Sequence, residues 1–124
     1  MSFANADKTP MNFEDKGFFR RKFPRRPLQK KVGVLFDGQY IICSSGEIGE
    51  GGMSILSEYA FTEGRELVVS FQIPNGTFVT LRGTIRTVIP NDELVTHGIA
   101  FDEIPLAFKR QIRAFVSART VSMN

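Results

Sequence analysis

Between residues 31 and 101 the chain is cut into short apolar runs by tight-turn sequences, and this punctuation most constrains the fold. Val32, Val34 and Phe36 alternate, Asp37-Gly38 follows, and Tyr40, Ile41 and Ile42 open a return strand. Asp-Gly suits that place because both central residues of a type I′ hairpin turn need positive φ. The stretch GEIGEGG, 46–52, reads as a glycine-rich turn leading into a short strand, MSILS. ELVVSFQI then runs into Pro74-Asn75-Gly76, a second hairpin signal. In the long run TFVTLRGTIRTVI, Val79, Leu81 and Ile85 share one face, and Thr80, Arg82, Thr84 and Arg86 share the other. Asn91-Asp92-Glu93 turns the chain into LVTHGIAFD. Strands of this number and spacing predict a mainly β protein, an antiparallel barrel or sandwich.

The period changes near the end. Phe108, Ile112, Phe115 and Val116 recur at helical spacing, with Lys109, Arg110 and Arg113 elsewhere on the surface. Pro105 suits a first helical turn, and Asp102 and Glu103 complement the helix dipole. One C-terminal helix closing the barrel is expected. Residues 1–18 lack periodicity and read as a mobile N-terminal arm carrying Phe3, Phe13 and Phe18. The domain then spans 19–120, including a basic linker at 20–31, and 121–124 form a tail. No internal repeat is present.

A chain of 124 residues is long enough for one real hydrophobic core. Cys43 is the only cysteine, so no internal disulfide framework exists. The opening MSFANADKTPMNFED lacks the apolar core of a signal peptide, and no apolar run approaches the ~18 residues of a membrane span. A cytoplasmic protein without membrane insertion is expected. Enzymatic readings find little support. Cys43 lies among Ile41, Ile42 and serines as a buried inert thiol would. His97 shares strand parity with Val95, Ile99 and Phe101, the pattern of a core histidine. Scattered acids form no metal-ligand spacing, and GEIGEGG matches neither a P-loop nor a dinucleotide fingerprint. No catalytic residue, metal or cofactor is expected.

Charge is placed unevenly. Residues 20–31 hold seven of the 16 Lys and Arg and none of the 13 acids, which leaves nine cations against 13 acids, net −4, elsewhere. Like charges this close repel one another, so an anionic partner is expected there. In RRKFPRR, Pro24 prevents a helix, so Arg21 and Arg25 sit on a bent chain where two guanidinium forks can converge on one ligand. Each fork can grip a phosphate, pair with a guanine edge or stack on a base. A glycine-rich turn would let backbone amides approach the same ligand.

These residues resemble the PilZ domain family, bacterial receptors for cyclic di-GMP. The family's R-x-x-x-R matches Arg21-Lys22-Phe23-Pro24-Arg25, with Arg20 as a leading arginine. Its D/N-x-S-x-x-G aligns with Glu47-Ile48-Gly49-Glu50-Gly51-Gly52, followed by Met53-Ser54-Ile55, and the late GIAFDEI strand also fits. The resemblance implies a six- or seven-stranded antiparallel barrel with a C-terminal helix and no catalysis. It implies cyclic di-GMP as ligand, held by Arg20, Arg21, Arg25, Glu47, Gly49 and Gly52; Arg86, on the polar face of its strand, is expected as an additional contact. Glu47 replaces Asp or Asn, and Gly49 replaces Ser. One lost neutral hydrogen bond costs about 0.5–1.5 kcal/mol, so restoring Gly49→Ser with Glu47→Asp is expected to tighten binding.

A cyclic di-GMP effector is the leading expectation. It would signal through ordering of its basic segment and through a protein partner, in motility, pilus or envelope machinery. The alternative is a degenerate PilZ module that binds no nucleotide and only contacts proteins. A single-stranded nucleic-acid barrel ranks last, because such barrels line a basic groove with aromatics. Here there is no Trp, only two Tyr, and an acidic body.

Overall fold

The computed structural model describes residues 24–122. Their strands are β1 (Arg26–Pro27), β2 (Lys31–Phe36), β3 (Gln39–Ile48), β4 (Gly52–Ser57), β5 (Glu66–Gln72), β6 (Phe78–Pro90) and β7 (Val95–Phe101), followed by helix α1 (Leu106–Ser122). All pairings are antiparallel. The order β3-β2-β5-β6-β7-β4 closes on itself through β3–β4, giving a six-stranded barrel with β1 as an added strand on β3. The barrel with its C-terminal helix is the expected architecture, and closure leaves the six strands without a free edge.

The turns form where the sequence marks them. Asp37 and Gly38 both adopt positive φ, 47° and 73°, and register β2 against β3 from Lys31↔Ser44 to Phe36↔Gln39. Asn75, at φ 60°, turns β5 into β6. The glycine-rich stretch is more ordered than its composition predicts. Gly46, Glu47 and Ile48 are still strand β3, and only 49–51 turn, closed by the Gly49 N–H donating to the Gly52 carbonyl at 2.9 Å. Backbone pairing on both flanks of β3 overrides the local glycine content.

Val32, Val34 and Phe36 of β2, Met53 and Ile55 of β4, Leu67, Val69 and Phe71 of β5, Val79, Leu81 and Ile85 of β6 and Ile99 of β7 all lie in one buried cluster. Cys43 joins them, and burial pushes its thiol upward while a hydrogen bond with Ser57 opposes the shift. Helix α1 adds Ile112 and Val116 to the same core. Pro105 stands just ahead of the helix, not inside its first turn; its carbonyl accepts from the Phe108 and Lys109 amides.

The helix meets the barrel at one end. Gln111 Oε1 accepts from the Thr77 amide at 2.7 Å in the β5–β6 turn, Arg113 reaches the β3–β4 turn, and Phe115 meets Arg26 of β1. Every connection carrying a motif residue, from the linker to the 49–51 turn, lies at this end. On the barrel wall, Leu35, Tyr40, Ile42 and Phe78 are exposed on the outer side of β2, β3 and β6.

Candidate ligand-binding site

Arg20 and Arg21 lie outside the described residues, as does the arm 1–18. Arg25 is described and exposed. It is positioned by the line of the chain along β3. Arg26 opposes Ile48 and Pro27 opposes Glu47, so Arg25 falls across from Gly49. Leu28, buried in the core, donates its amide to the Gly46 carbonyl at 2.8 Å. Lys30 donates to Ser45 Oγ at 2.9 Å, and its carbonyl accepts from the Ser45 amide at 3.1 Å. In this way β1 and β2 run along the same partner strand, offset at Gln29, whose φ of 58° takes the left-handed kink. The segment ends at Lys30 and Lys31, both exposed.

The linker lies directly on the second motif. A Cβ at Gly49 would stand 2.8 Å from the Pro24 carbonyl oxygen and 3.3 Å from Arg25 Cγ. Gly49 is therefore the place where the two motifs touch, and its lack of a side chain is what permits the contact. A serine at this position would enter space held by linker backbone, which argues against the tightening expected from the sequence. Glu47 is half-buried, and its amide donates to Ser54 Oγ at 2.9 Å. Gly52 serves a different need: a Cβ there would collide with the Ile99 carbonyl, so this glycine lets β4 approach β7.

Beside Glu47 the outer surface is nearly flat. Ser54 pairs with Gly98 of β7, and Gly98 pairs with Thr87 of β6, whose Oγ1 accepts from the Gly98 amide at 3.1 Å. A bulge between Ile85 and Thr87 leaves Arg86 exposed next to this row. At ~4.8 Å per strand, Arg86 stands about three strand spacings from Glu47 across a floor of small residues. Arg86 and Arg25 thus flank one surface without touching each other's strands.

A cavity of about 700 Å³ opens on the other side of the 49–51 turn, lined by Glu50, Gly51, Asp102, Glu103, Ile104 and Lys109 among others. Three carboxylates against one Lys make it a poor home for a phosphate, so its size does not mark it as an anion site. The flat floor with flanking arginines has the better chemistry.

Two contacts in this region have no sequence signal. Glu50, buried within the second motif, accepts a two-pronged ion pair from Arg113 of α1, with Nε to Oε2 at 2.8 Å and Nη2 to Oε1 at 2.9 Å. The hydrogen bond with Arg113 holds the Glu50 carboxyl below its ordinary range against the opposing effect of burial. Arg26 stacks on the Phe115 ring, 4.2 Å from its centroid, and donates Nη1–H to the Phe115 carbonyl at 2.8 Å. Partners 63 and 89 residues apart cannot be read from spacing. Among the described residues no group of three or more His, Cys, Asp or Glu is arranged to hold a metal.

Comparison with known proteins places this geometry in a family. The PilZ domain family model matches residues 19–118, and the chain belongs to that family. The barrel is similar to the Bacillus subtilis inhibitor of motility MotI/DgrA, with TM-score 0.74, 16% identity, and coverage of 83% of this chain and 52% of that one. Escherichia coli YcgR in complex with c-di-GMP gives TM-score 0.67 at 14% identity, covering 84% of this chain and 47% of that one. The K. pneumonia MrkH–c-di-GMP complex gives TM-score 0.67 at 15% identity, covering 84% and 54%. The chain thus spans about half the length of these solved structures. No curated protein matches by sequence.

Proposed function

We propose that this chain is a non-catalytic cyclic di-GMP effector. The observation that carries the reading is the contact of the two motifs across β1 and β3, with Arg25 on Gly49 beside Glu47. Arg25 and Arg21 supply charge-assisted grips for phosphate or guanine, and the floor of Ser54 and Gly98 leaves room for a planar base. Arg20, Glu47 and Gly52 complete the proposed site, with Arg86 at its far rim. YcgR and MrkH have been solved with c-di-GMP bound, which supports the same ligand class here.

Ligand held by Arg21 and Arg25 would fix the basic segment on the second motif; from Arg26 to Lys30 that segment is already bonded to β3. The signal then passes to a protein partner in the cytoplasm. The exposed apolar side chains of Leu35, Tyr40 and Ile42 on adjacent β2 and β3 support such a contact. No helix among the described residues is long and apolar enough to cross a membrane.

Calorimetric titration tests the reading. Cyclic di-GMP is expected to bind, with cyclic AMP and GTP far weaker. Absence of heat at high micromolar cyclic di-GMP would reject it in favour of the degenerate module. One observation favours that second reading: Gly49 offers no hydroxyl, and linker backbone fills the space where one would point.

A further inference from the structure

The two segments that meet at Gly49 are each fastened to the same stretch of helix α1. The second motif is fastened through Glu50 to Arg113, and the arginine linker through Arg26 to Phe115. At ~100° per residue, Arg113 and Phe115 stand about 80° to either side of the ridge formed by Ile112 and Val116. That ridge is buried in the core, so the helix is gripped on both flanks while its centre plugs the barrel. A roll of α1 in either direction lengthens one grip and compresses the other. The two halves of the site therefore cannot shift relative to each other without moving the helix.

We propose that Arg113 and Arg26 are positioning residues: they hold the second-motif turn and the arginine linker in register through α1, and they couple ligand occupancy to the helix. The proposal rests on the cyclic di-GMP reading only for its ligand half. Neither side chain needs to touch the ligand. Arg113 is committed to the buried carboxylate of Glu50, and Arg26 to the ring and carbonyl of Phe115. Both contacts need a planar guanidinium: the fork matches two carboxylate oxygens, and the flat face stacks on the ring. A lysine keeps the charge and loses the geometry. Coupling of this kind is reciprocal, so ligand that favours the fastened arrangement must also steady the helix.

The experiment has two arms on the full chain. In the first, without ligand, hydrogen exchange is followed at the Gly49 and Phe101 amides, which donate to the Gly52 and Gly51 carbonyls at 2.9 Å each. Arg113→Lys is expected to speed exchange there and leave the Phe61 amide, at the opposite end, unchanged. Equal exchange at all three amides in variant and wild type, or a uniform rise at all three, overturns the proposal. In the second arm, calorimetry with cyclic di-GMP compares wild type, Arg113→Lys, Arg26→Lys and Arg110→Ala. The two lysine variants are expected to bind about fivefold or more weakly. Arg110→Ala, which removes a charge from an exposed position of the same helix, should bind as wild type. Ligand should also slow exchange across 108–116 in wild type. If the lysine variants bind as wild type, or Arg110→Ala loses as much, the coupling is overturned. Should wild type bind no cyclic di-GMP, the functional reading fails, and the first arm still decides whether Arg113 positions the turn.

Discussion

The two ends of the barrel are closed in opposite ways. At the end away from the helix, the 58–65 connection folds over with aromatic packing. Phe61 stands edge-on to Phe36 at 4.8 Å and to His97 at 5.1 Å, and Tyr59 packs on both phenylalanines. Polar contacts fasten the connection too: the Phe61 amide donates to His97 Nε2 at 3.0 Å, Gly64 and Arg65 exchange backbone hydrogen bonds with Ile85, and Arg65 pairs with Asp37 across the Phe36 ring. The helix end has an apolar plug as well, but its motif segments are held by guanidinium groups. Apolar burial of these rings depends little on charge nearby. Guanidinium contacts respond to charge, so an anion bound beside the motif segments is expected to be felt at the helix end more than at the aromatic end.

The largest expected effect tests the aromatic end. Phe61→Ala should cost about 3–5 kcal/mol of stability in chemical denaturation, through lost burial and the cavity left. Cyclic di-GMP affinity of the folded fraction should barely change; a matching loss of affinity would mean that the two ends are not separable.

Next in size is the reverse experiment. Arg25→Ala, or Arg21→Ala in the segment ahead of the described residues, should cost about 1.5–3 kcal/mol of cyclic di-GMP affinity by calorimetry. Thermal stability should hardly move. Lys30→Ala and Lys31→Ala, at exposed positions, should leave affinity near wild type. Similar losses at all four would reveal diffuse electrostatics in place of a site.

A smaller effect sharpens the contact between the motifs. Gly49→Ser with Glu47→Asp should weaken binding by about 1 kcal/mol or more, because overpacking at Gly49 displaces Pro24 and Arg25. Tighter binding would mean that the linker leaves Gly49 when ligand arrives.

The pH response separates the ends as well. Burial lowers the His97 pKa from 6.5, so the folded protein favours neutral imidazole, whose Nε2 accepts from Phe61. A base with a depressed folded pKa gives stability that is complete above about 6.5 and lost as pH falls below it. Glu50, held below its usual 4.5, keeps its contribution until more acid conditions and loses it as pH falls through its folded pKa. Denaturation midpoints measured from pH 7.5 downward should decline first through His97, and His97→Gln should remove that early decline. An unchanged early decline in the variant would assign it to another group.

His97 also illustrates what strand parity can and cannot say. Parity placed it in the interior, and it is fully buried. Parity could not say that, among the described residues, only Nε2 finds a partner and Nδ1 is buried without one. The strands and hairpins were legible for the same local reason. Alternation sets which face is buried, and Asp37-Gly38 and Pro74-Asn75-Gly76 carry their turns in their own backbone preferences. GEIGEGG misled, because its glycines suggest a loop while flanking strands on both sides of β3 keep Gly46–Ile48 extended.

The sequence by itself determined the strand pattern, the closing helix, the motif order and the concentration of cations ahead of β2. All of these reside in residue type and short-range spacing, where steric and periodic rules act. Only the tertiary structure decided where the cations are placed. It committed Arg26 to Phe115 and Arg113 to Glu50, and it set Arg25 on Gly49. The physical reason is that a guanidinium's partner is chosen by which carboxylate, ring or carbonyl the closed barrel brings within reach, and barrel closure joins residues that are distant in the chain.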